Sequence, residues 1–255
     1  MNRPLQAWRD RDDRLLRLRL NRPKANIVDA EMIAAIADAL ATETGADALT
    51  AVLLDAAGPH FSYGASVEEH LPERCADMLS GLHTLIRQML DCPVPILVAI
   101  KGQCLGGGLE LAAAGHMLFA APDAQLGQPE IKLGVFAPAA SCLLPERIGQ
   151  GAAEDLLYSG RSITGEEARR LGLVNDVADD PEAAALTYFD AHLAARSASS
   201  LRFAVKAARA EFSARVSARL ASVARLSRAG LMTTGDALEG LNAFIARRPA
   251  KWVHA

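Results

Sequence analysis

Glu110 and Glu130 are the residues of this chain best suited to chemistry. Glu110 stands in Gly106-Gly107-Gly108-Leu109-Glu110-Leu111-Ala112, and Glu130 in Gly127-Gln128-Pro129-Glu130-Ile131. Each carboxylate lies in apolar surroundings beside glycine-bearing backbone. An ionised carboxylate in such a setting is costly unless something uses or compensates it. Two of them, each next to accessible backbone N–H groups, point to acid/base work on a substrate held by the backbone. The glycine run follows an apolar strand pattern and precedes a helix. It has neither the GxGxxG spacing of a dinucleotide fingerprint nor the Lys-Ser/Thr end of a phosphate loop. A tight strand-to-helix turn accounts for the glycines, but not for Glu110 one turn inside an otherwise apolar helix. A helix N-terminus offers free N–H groups and partial positive charge, so the Gly107 N–H is a candidate donor to a developing oxyanion.

The elements that must position these residues read as α/β. Leu15-Leu16-Arg17-Leu18-Arg19-Leu20 alternates like a strand, and Asn21-Arg22-Pro23-Lys24 ends it. Asp29 is placed to cap a helix running to about Thr44, with Met32, Ile33, Ile36 and Leu40 on one stripe. Ala51 to Asp55 and Ile96 to Ile100 are short buried strands, and Met117 to Ala120 is extended. Phe61 to Ala65 is a strand-to-loop passage. Helices are expected at about Cys75 to Leu90 and Leu109 to Gly115, and helical patterns dominate from Gly151 onward. The recurrence of strand, glycine loop and helix places active loops at strand ends. A composition shift near Ala195 divides the chain into a core, 1–195, and a helical appendage, 196–255.

The 255 residues are 51% hydrophobic and 22% charged, enough for one sizeable core. A net charge of −3 offers no strong pull on nucleic acid or an anionic membrane. Arg202, Lys206, Arg209, Arg215, Arg219 and Arg225 gather in one stretch. They read as a solvated helical face, or more sharply as a seat for a phosphate-bearing ligand or an acidic neighbouring subunit. Cys75, Cys92, Cys104 and Cys142 form no CxxC pair, and the histidines form no readable metal set. Reduced thiols in a cytoplasmic protein are expected, with no membrane span.

Six segments in order resemble the crotonase superfamily, the enoyl-CoA hydratase/isomerase group, over nearly the whole chain. Leu20 to Ala25 is similar to the family's CoA-contacting segment, and Phe61-Ser62-Tyr63-Gly64-Ala65 to its first oxyanion-hole segment. The two glutamate blocks look like its signature blocks. Ile163 to Val174 and Asp236 to Arg248 resemble its later segments. The resemblance implies a spiral of ββα turns with a C-terminal helical region that builds trimers, often paired into hexamers. It implies that the N–H groups of Ala65 and Gly107 bind the thioester oxygen, and that Glu110 and Glu130 hold a water between them. Lys24, Ala25, Ile27, Tyr63, Ser66 and Val67 are the implied contacts to CoA or substrate. No metal or redox cofactor is implied, and CoA arrives as part of the substrate. Which glutamate is acid and which is base stays open.

Both carboxylates together select hydration within this family, since isomerases commonly keep only the equivalent of Glu130. Two segments depart from the usual pattern, Ser66-Val67-Glu68-Glu69-His70 and Val135 to Ser141. Pro23 to Asp29 and Phe61 to Pro72 are similar to the branch of the family that hydrates a cyclic dienoyl thioester in anaerobic benzoyl-CoA degradation. That implies 1,4-addition of water to cyclohexa-1,5-diene-1-carbonyl-CoA, giving 6-hydroxycyclohex-1-ene-1-carbonyl-CoA. The alternatives are a straight-chain enoyl-CoA hydratase or isomerase, and a non-catalytic acyl-CoA- or RNA-binding homologue. His70 reads either as a pocket proton donor or as a structural loop histidine, and Trp252 reads as packing.

Overall fold

The computed structural model describes residues 3–254, without the side chain of Pro72. β1 (Leu5–Asp10) and β2 (Leu15–Leu20) form an antiparallel hairpin. α1 (Ala30–Glu43) carries the chain to β3 (Ala51–Ala56), and α2 (Pro72–Leu90) carries it to β4 (Ile96–Ile100). β5 (Gln103–Leu105), α3 (Gly107–Ala114) and β6 (Met117–Ala120) follow. β7 (Gln125–Gly127) leads through a 3₁₀ turn, Pro129–Leu133, to α4 (Ala140–Ile148) and α5 (Gln150–Ser159). After β8 (Ser162–Thr164), α6 (Gly165–Arg170) and β9 (Asp176–Val177), the chain ends in α7 (Pro181–Tyr188), the 32-residue α8 (Ala198–Ala229) and α9 (Gly235–Ile245).

The larger sheet has the order β1-β2-β3-β4-β6-β9 and is parallel from β2 onward. A parallel sheet needs both faces covered, and the alternation along each strand shows how this is met. Leu16, Leu18, Leu20, Val52, Leu54, Ile96, Val98 and Ile100 point into the main core with α1, α2 and α3. Leu15, Ala51, Leu53, Leu97 and Ala99 point the other way, against Ala185 of α7 and Phe189 and Leu193 beyond it. On that second face Arg17 is buried. It is held by Asp55 at 2.8 Å and by Glu182, and Trp8 lies over the guanidinium at 4.9 Å. Removing one member of such a buried pair leaves an uncompensated charge, so a β2–β3 register that parted Arg17 from Asp55 would be penalised.

The predicted Asp29 cap is present: its carboxylate accepts from Met32 N at 2.9 Å. All four cysteines are free and buried. Two helix starts differ from expectation. α2 begins at Pro72 rather than Cys75, because proline fits the first helical turn. α3 begins at Gly107 rather than Leu109, so the glycines are helix, not only the approach to it. β1 and the short strands β5, β7, β8 and β9 were not expected.

Candidate active site

β5 and β7 are parallel neighbours, and their last residues, Leu105 and Gly127, are in register. The two glutamate segments therefore leave the sheet side by side. Gly106 N donates to Gly127 O at 2.9 Å, tying the exits together. On the other side of β5, Ser62 bridges to Cys104, which draws Tyr63-Gly64-Ala65 over the start of α3. The Ser62 hydroxyl donates to Asn26 O at 2.8 Å and accepts from Gly64 N at 3.0 Å, locking that loop. The Asn26 amide in turn donates to Ala57 O and His60 O.

This brings the two implied donor amides together. A Cβ on Gly107 would lie 3.0 Å from Ala65 N. Among the described residues, neither the Ala65 nor the Gly107 N–H donates to a backbone carbonyl. Two free amides this close, one of them at a helix N-terminus, are the arrangement of donors that stabilising an oxyanion requires.

Glu110 is 4% exposed, and its Oε1 accepts from Ala140 N, the first residue of α4, at 2.8 Å. Burial pushes its carboxyl up to about 7, against the pull of the Ala140 and Ala139 amides. Glu130 is the second residue of the 3₁₀ turn, with its carboxylate against the Cα of Gly106, where a Cβ would lie 2.5 Å from Oε1. Burial, followed by the Glu110 charge, pushes Glu130 higher, to about 8. Each carboxylate thus senses a different environment, which keeps one protonated while the other ionises. Gln128, 1% exposed, lies behind Glu130. With its Nε2 turned toward that carboxylate it donates to both oxygens, at 3.0 and 3.2 Å. With the amide the other way round, its carbonyl faces Glu130 and suits the protonated acid.

Beside these groups is a cavity of about 420 Å³. Glu130, Ala65, Gly106, Tyr63 and Val67 are among its walls. Glu110 and Gly107 are not among them, though Gly107 adjoins the wall residue Ala65. Ala25 O accepts from Tyr63 N at 2.9 Å, and Val28 N donates to Gly64 O, so the segment holding Lys24, Ala25 and Ile27 runs alongside the cavity without lining it. The Ser66 hydroxyl is used locally, donating to Glu68 at 3.1 Å. Lys132, Leu133 and Phe244 are wall residues with no role assigned from sequence, while Val135 belongs to the segment Val135 to Ser141 that was expected to shape the acyl pocket. Phe244 comes from α9, and nothing local in the chain signals so distant a contact. His70 is also a wall residue. Its Nδ1 lies 2.7 Å from Ser66 O, so Nδ1–H donates to that carbonyl and Nε2 is left as a bare acceptor. Burial lowers the His70 pKa, favouring this neutral form over the proton donor considered from sequence.

A family model described as enoyl-CoA hydratase/isomerase matches residues 10–255. The chain belongs to that family. One relative, the cyclohexa-1,5-dienecarbonyl-CoA hydratase of Thauera aromatica, is 65% identical over 249 residues, covering 98% of this chain and 96% of that protein. The crystal structure of an enoyl-CoA hydratase/isomerase from Pseudoalteromonas atlantica superimposes with a TM-score of 0.85 at 26% identity, covering 98% of this chain and all of the other. An enoyl-CoA hydratase from Bacillus halodurans shares the fold, with a TM-score of 0.87 at 21% identity over 94% of this chain and 99% of that one. The crotonase-type α/β fold of the enoyl-CoA hydratase/isomerase family is therefore the fold of this chain, and its activity is that of a hydro-lyase.

Proposed function

We propose that the enzyme adds water to cyclohexa-1,5-diene-1-carbonyl-CoA, forming 6-hydroxycyclohex-1-ene-1-carbonyl-CoA. The observation that carries this is the meeting of two differently buried carboxyls with two free amides beside one largely apolar cavity. The thioester oxygen docks on Ala65 N–H and Gly107 N–H. Glu110, stabilised as an anion by the Ala140 and Ala139 amides, is ionised, and its charge together with burial keeps the proton on Glu130. Glu110 takes a proton from water as the oxygen bonds to the ring carbon β to the thioester. Electrons flow through the α carbon onto the thioester oxygen, where the two amides stabilise them; losing one such donor typically costs about 3 kcal/mol. The dienolate then takes the Glu130 proton at the ring carbon para to the new hydroxyl. The remaining double bond stays conjugated to the thioester, which is the connectivity of the 6-hydroxy-1-ene. Transfer of a proton from Glu110 to Glu130, through solvent or the departing product, resets the pair, and no electron is gained or lost.

The cavity suits a ring. Leu133, Val135, Val67 and Phe244 give it apolar walls, with Glu130 at one side and the His70 Nε2 as an acceptor for a hydroxyl. The relative from Thauera aromatica supports the same substrate, and the departures at residues 66–70 and 135–141 fall on or beside these walls. The pantetheine arm is assigned to the groove beside Lys24, Ala25 and Ile27. α8 and α9 are assigned to oligomer contacts, a homotrimer or a pair of trimers. Phe203 is 74% exposed and Leu226 62% exposed on α8, which fits a helix awaiting a neighbour. The test is turnover of the purified enzyme on the cyclic diene and on crotonyl-CoA. A higher kcat/KM for the diene is expected; preference for crotonyl-CoA would refute the cyclic assignment.

A further inference from the structure

Most of the basic residues along α8 are occupied. Arg202 donates to Thr44 O and Ala46 O, Arg209 to Ala114 O and Gly115 O, Arg215 to Glu146, and Arg219 to Ser141 O. Farther along the helix this changes. Arg225 and Arg228 take part in no ion pair or side-chain hydrogen bond among the described residues, and neither does Arg87 of α2. These three guanidinium-bearing residues line one cavity of about 280 Å³ between α2 and α8. Its remaining walls are Ala76, Leu79, Ser80, His83, Ala221 and Ala224, and none of them is acidic.

His83 gives this basic cluster its direction. It is 3% exposed, and its Nε2 is buried without a hydrogen-bond partner. Buried polar groups are nearly always satisfied, so an orphaned nitrogen in a side chain that lines a cavity points to a missing partner. Surface arginines alone would need none. On α2, Ala76, Ser80, His83 and Arg87 follow three- and four-residue spacing and share one stripe; on α8, Ala221, Ala224, Arg225 and Arg228 do the same. Small residues leave room at the floor while long cationic ones surround it.

We propose that this cavity is an oxyanion-binding site, separate from the acyl-CoA cavity, that takes a small phosphate-type dianion between Arg87, Arg225, Arg228 and His83. The guanidinium groups supply forked donors and charge, and the His83 Nε2 supplies an N–H once protonated. Burial and the neighbouring Arg87 and Arg228 hold His83 down at about 4. An anion among these groups reverses that balance, so binding takes up a proton. No residue is shared with the walls of the acyl-CoA cavity.

Inorganic phosphate titrated into the full-length enzyme, at ionic strength held constant with chloride, tests this by calorimetry and by histidine ring NMR. A saturable heat near pH 6.5 is expected, with its size varying with the ionisation enthalpy of the buffer as proton uptake requires. One ring, assigned through H83Q, shifts toward the imidazolium form. In R225E/R228E the heat and the shift vanish while turnover of the acyl-CoA persists. Binding must survive saturation with CoA. Absence of saturable phosphate binding, displacement by CoA, or an unshifted His83 ring would each overturn the site. So would R225E/R228E binding phosphate like the parent, or breaking the oligomer with no effect on phosphate, which would assign the arginines to a subunit contact.

Discussion

Gly106→Ala reaches the centre of the account with a single methyl group. Gly106 has φ 51° and ψ −127°, a conformation that L side chains rarely adopt. Strain of that kind costs on the order of 1–3 kcal/mol. The added Cβ would also lie 2.5 Å from Glu130 Oε1. An ordinary close C···O approach is about 3.4 Å, so the carboxylate has to withdraw by roughly 1 Å. A displacement of that size costs about 100-fold in rate when it falls on a reacting group. That equals about 2.7 kcal/mol of transition-state stabilisation. The expected phenotype is a kcat on the cyclic diene lowered about 100-fold. Substrate binding should change little, because the CoA-side segment is untouched, and the melting temperature should fall by several degrees. Steady-state kinetics with a thermal scan reads all three. A variant that turns over within threefold of the parent, with its fold intact, would show that Glu130 has no need of its place against Gly106.

Other outcomes follow from the same geometry. Glu110→Gln and Glu130→Gln should each lower hydration by about 10²- to 10⁴-fold, with the oligomer and CoA binding preserved. The parent's kcat/KM should peak between about pH 7 and about pH 8, rising as Glu110 ionises and falling as Glu130 loses its proton; a flat profile across that range contradicts the assignment. Stability should show the opposite side of the same shifts. Both carboxyls are raised above their unfolded value, so their contribution is complete below about pH 4.5 and is lost as pH rises through the folded values. Urea midpoints of Glu130→Gln should therefore decline less than those of the parent between roughly pH 6 and 9. Phe244→Ala should lower kcat/KM for the cyclic diene about tenfold relative to crotonyl-CoA, because it removes one wall of the ring pocket; an unchanged ratio would take Phe244 out of substrate selection.

What was readable in the chain was what short range encodes. Asp29 capping Met32 N, the apolar strands at residues 51–56 and 96–100, and the helix carrying Glu110 all follow from neighbouring residues. The two glutamate blocks were legible because buried carboxylates beside glycine turns are expensive, and an expensive feature needs a cause. The three-residue strands β5, β7 and β8 were not, since a period of two cannot be recognised in so few residues; yet the Leu105–Gly127 register of two of them is what sets both glutamates side by side. Phe244 in the cavity was hidden for a different reason. Its segment, Asp236 to Arg248, was legible as a family-like C-terminal end, but a contact across more than a hundred residues depends on where α9 folds back, which no neighbouring residue signals. His70 was visible as a candidate. Its role as acceptor rather than donor depends on the Ser66 carbonyl at its Nδ1, which only the turn at residues 68–70 provides.

A crystal structure of Glu130→Gln with cyclohexa-1,5-diene-1-carbonyl-CoA bound would test the central claim most directly. The predicted complex has the thioester oxygen about 3 Å from both Ala65 N and Gly107 N, the distance required of an oxyanion donor pair. One water should lie between Glu110 and the β carbon of the ring, with residue 130 facing the carbon para to it. A thioester oxygen turned away from these two amides, or a ring lying outside the cavity walled by Phe244 and His70, would contradict the account.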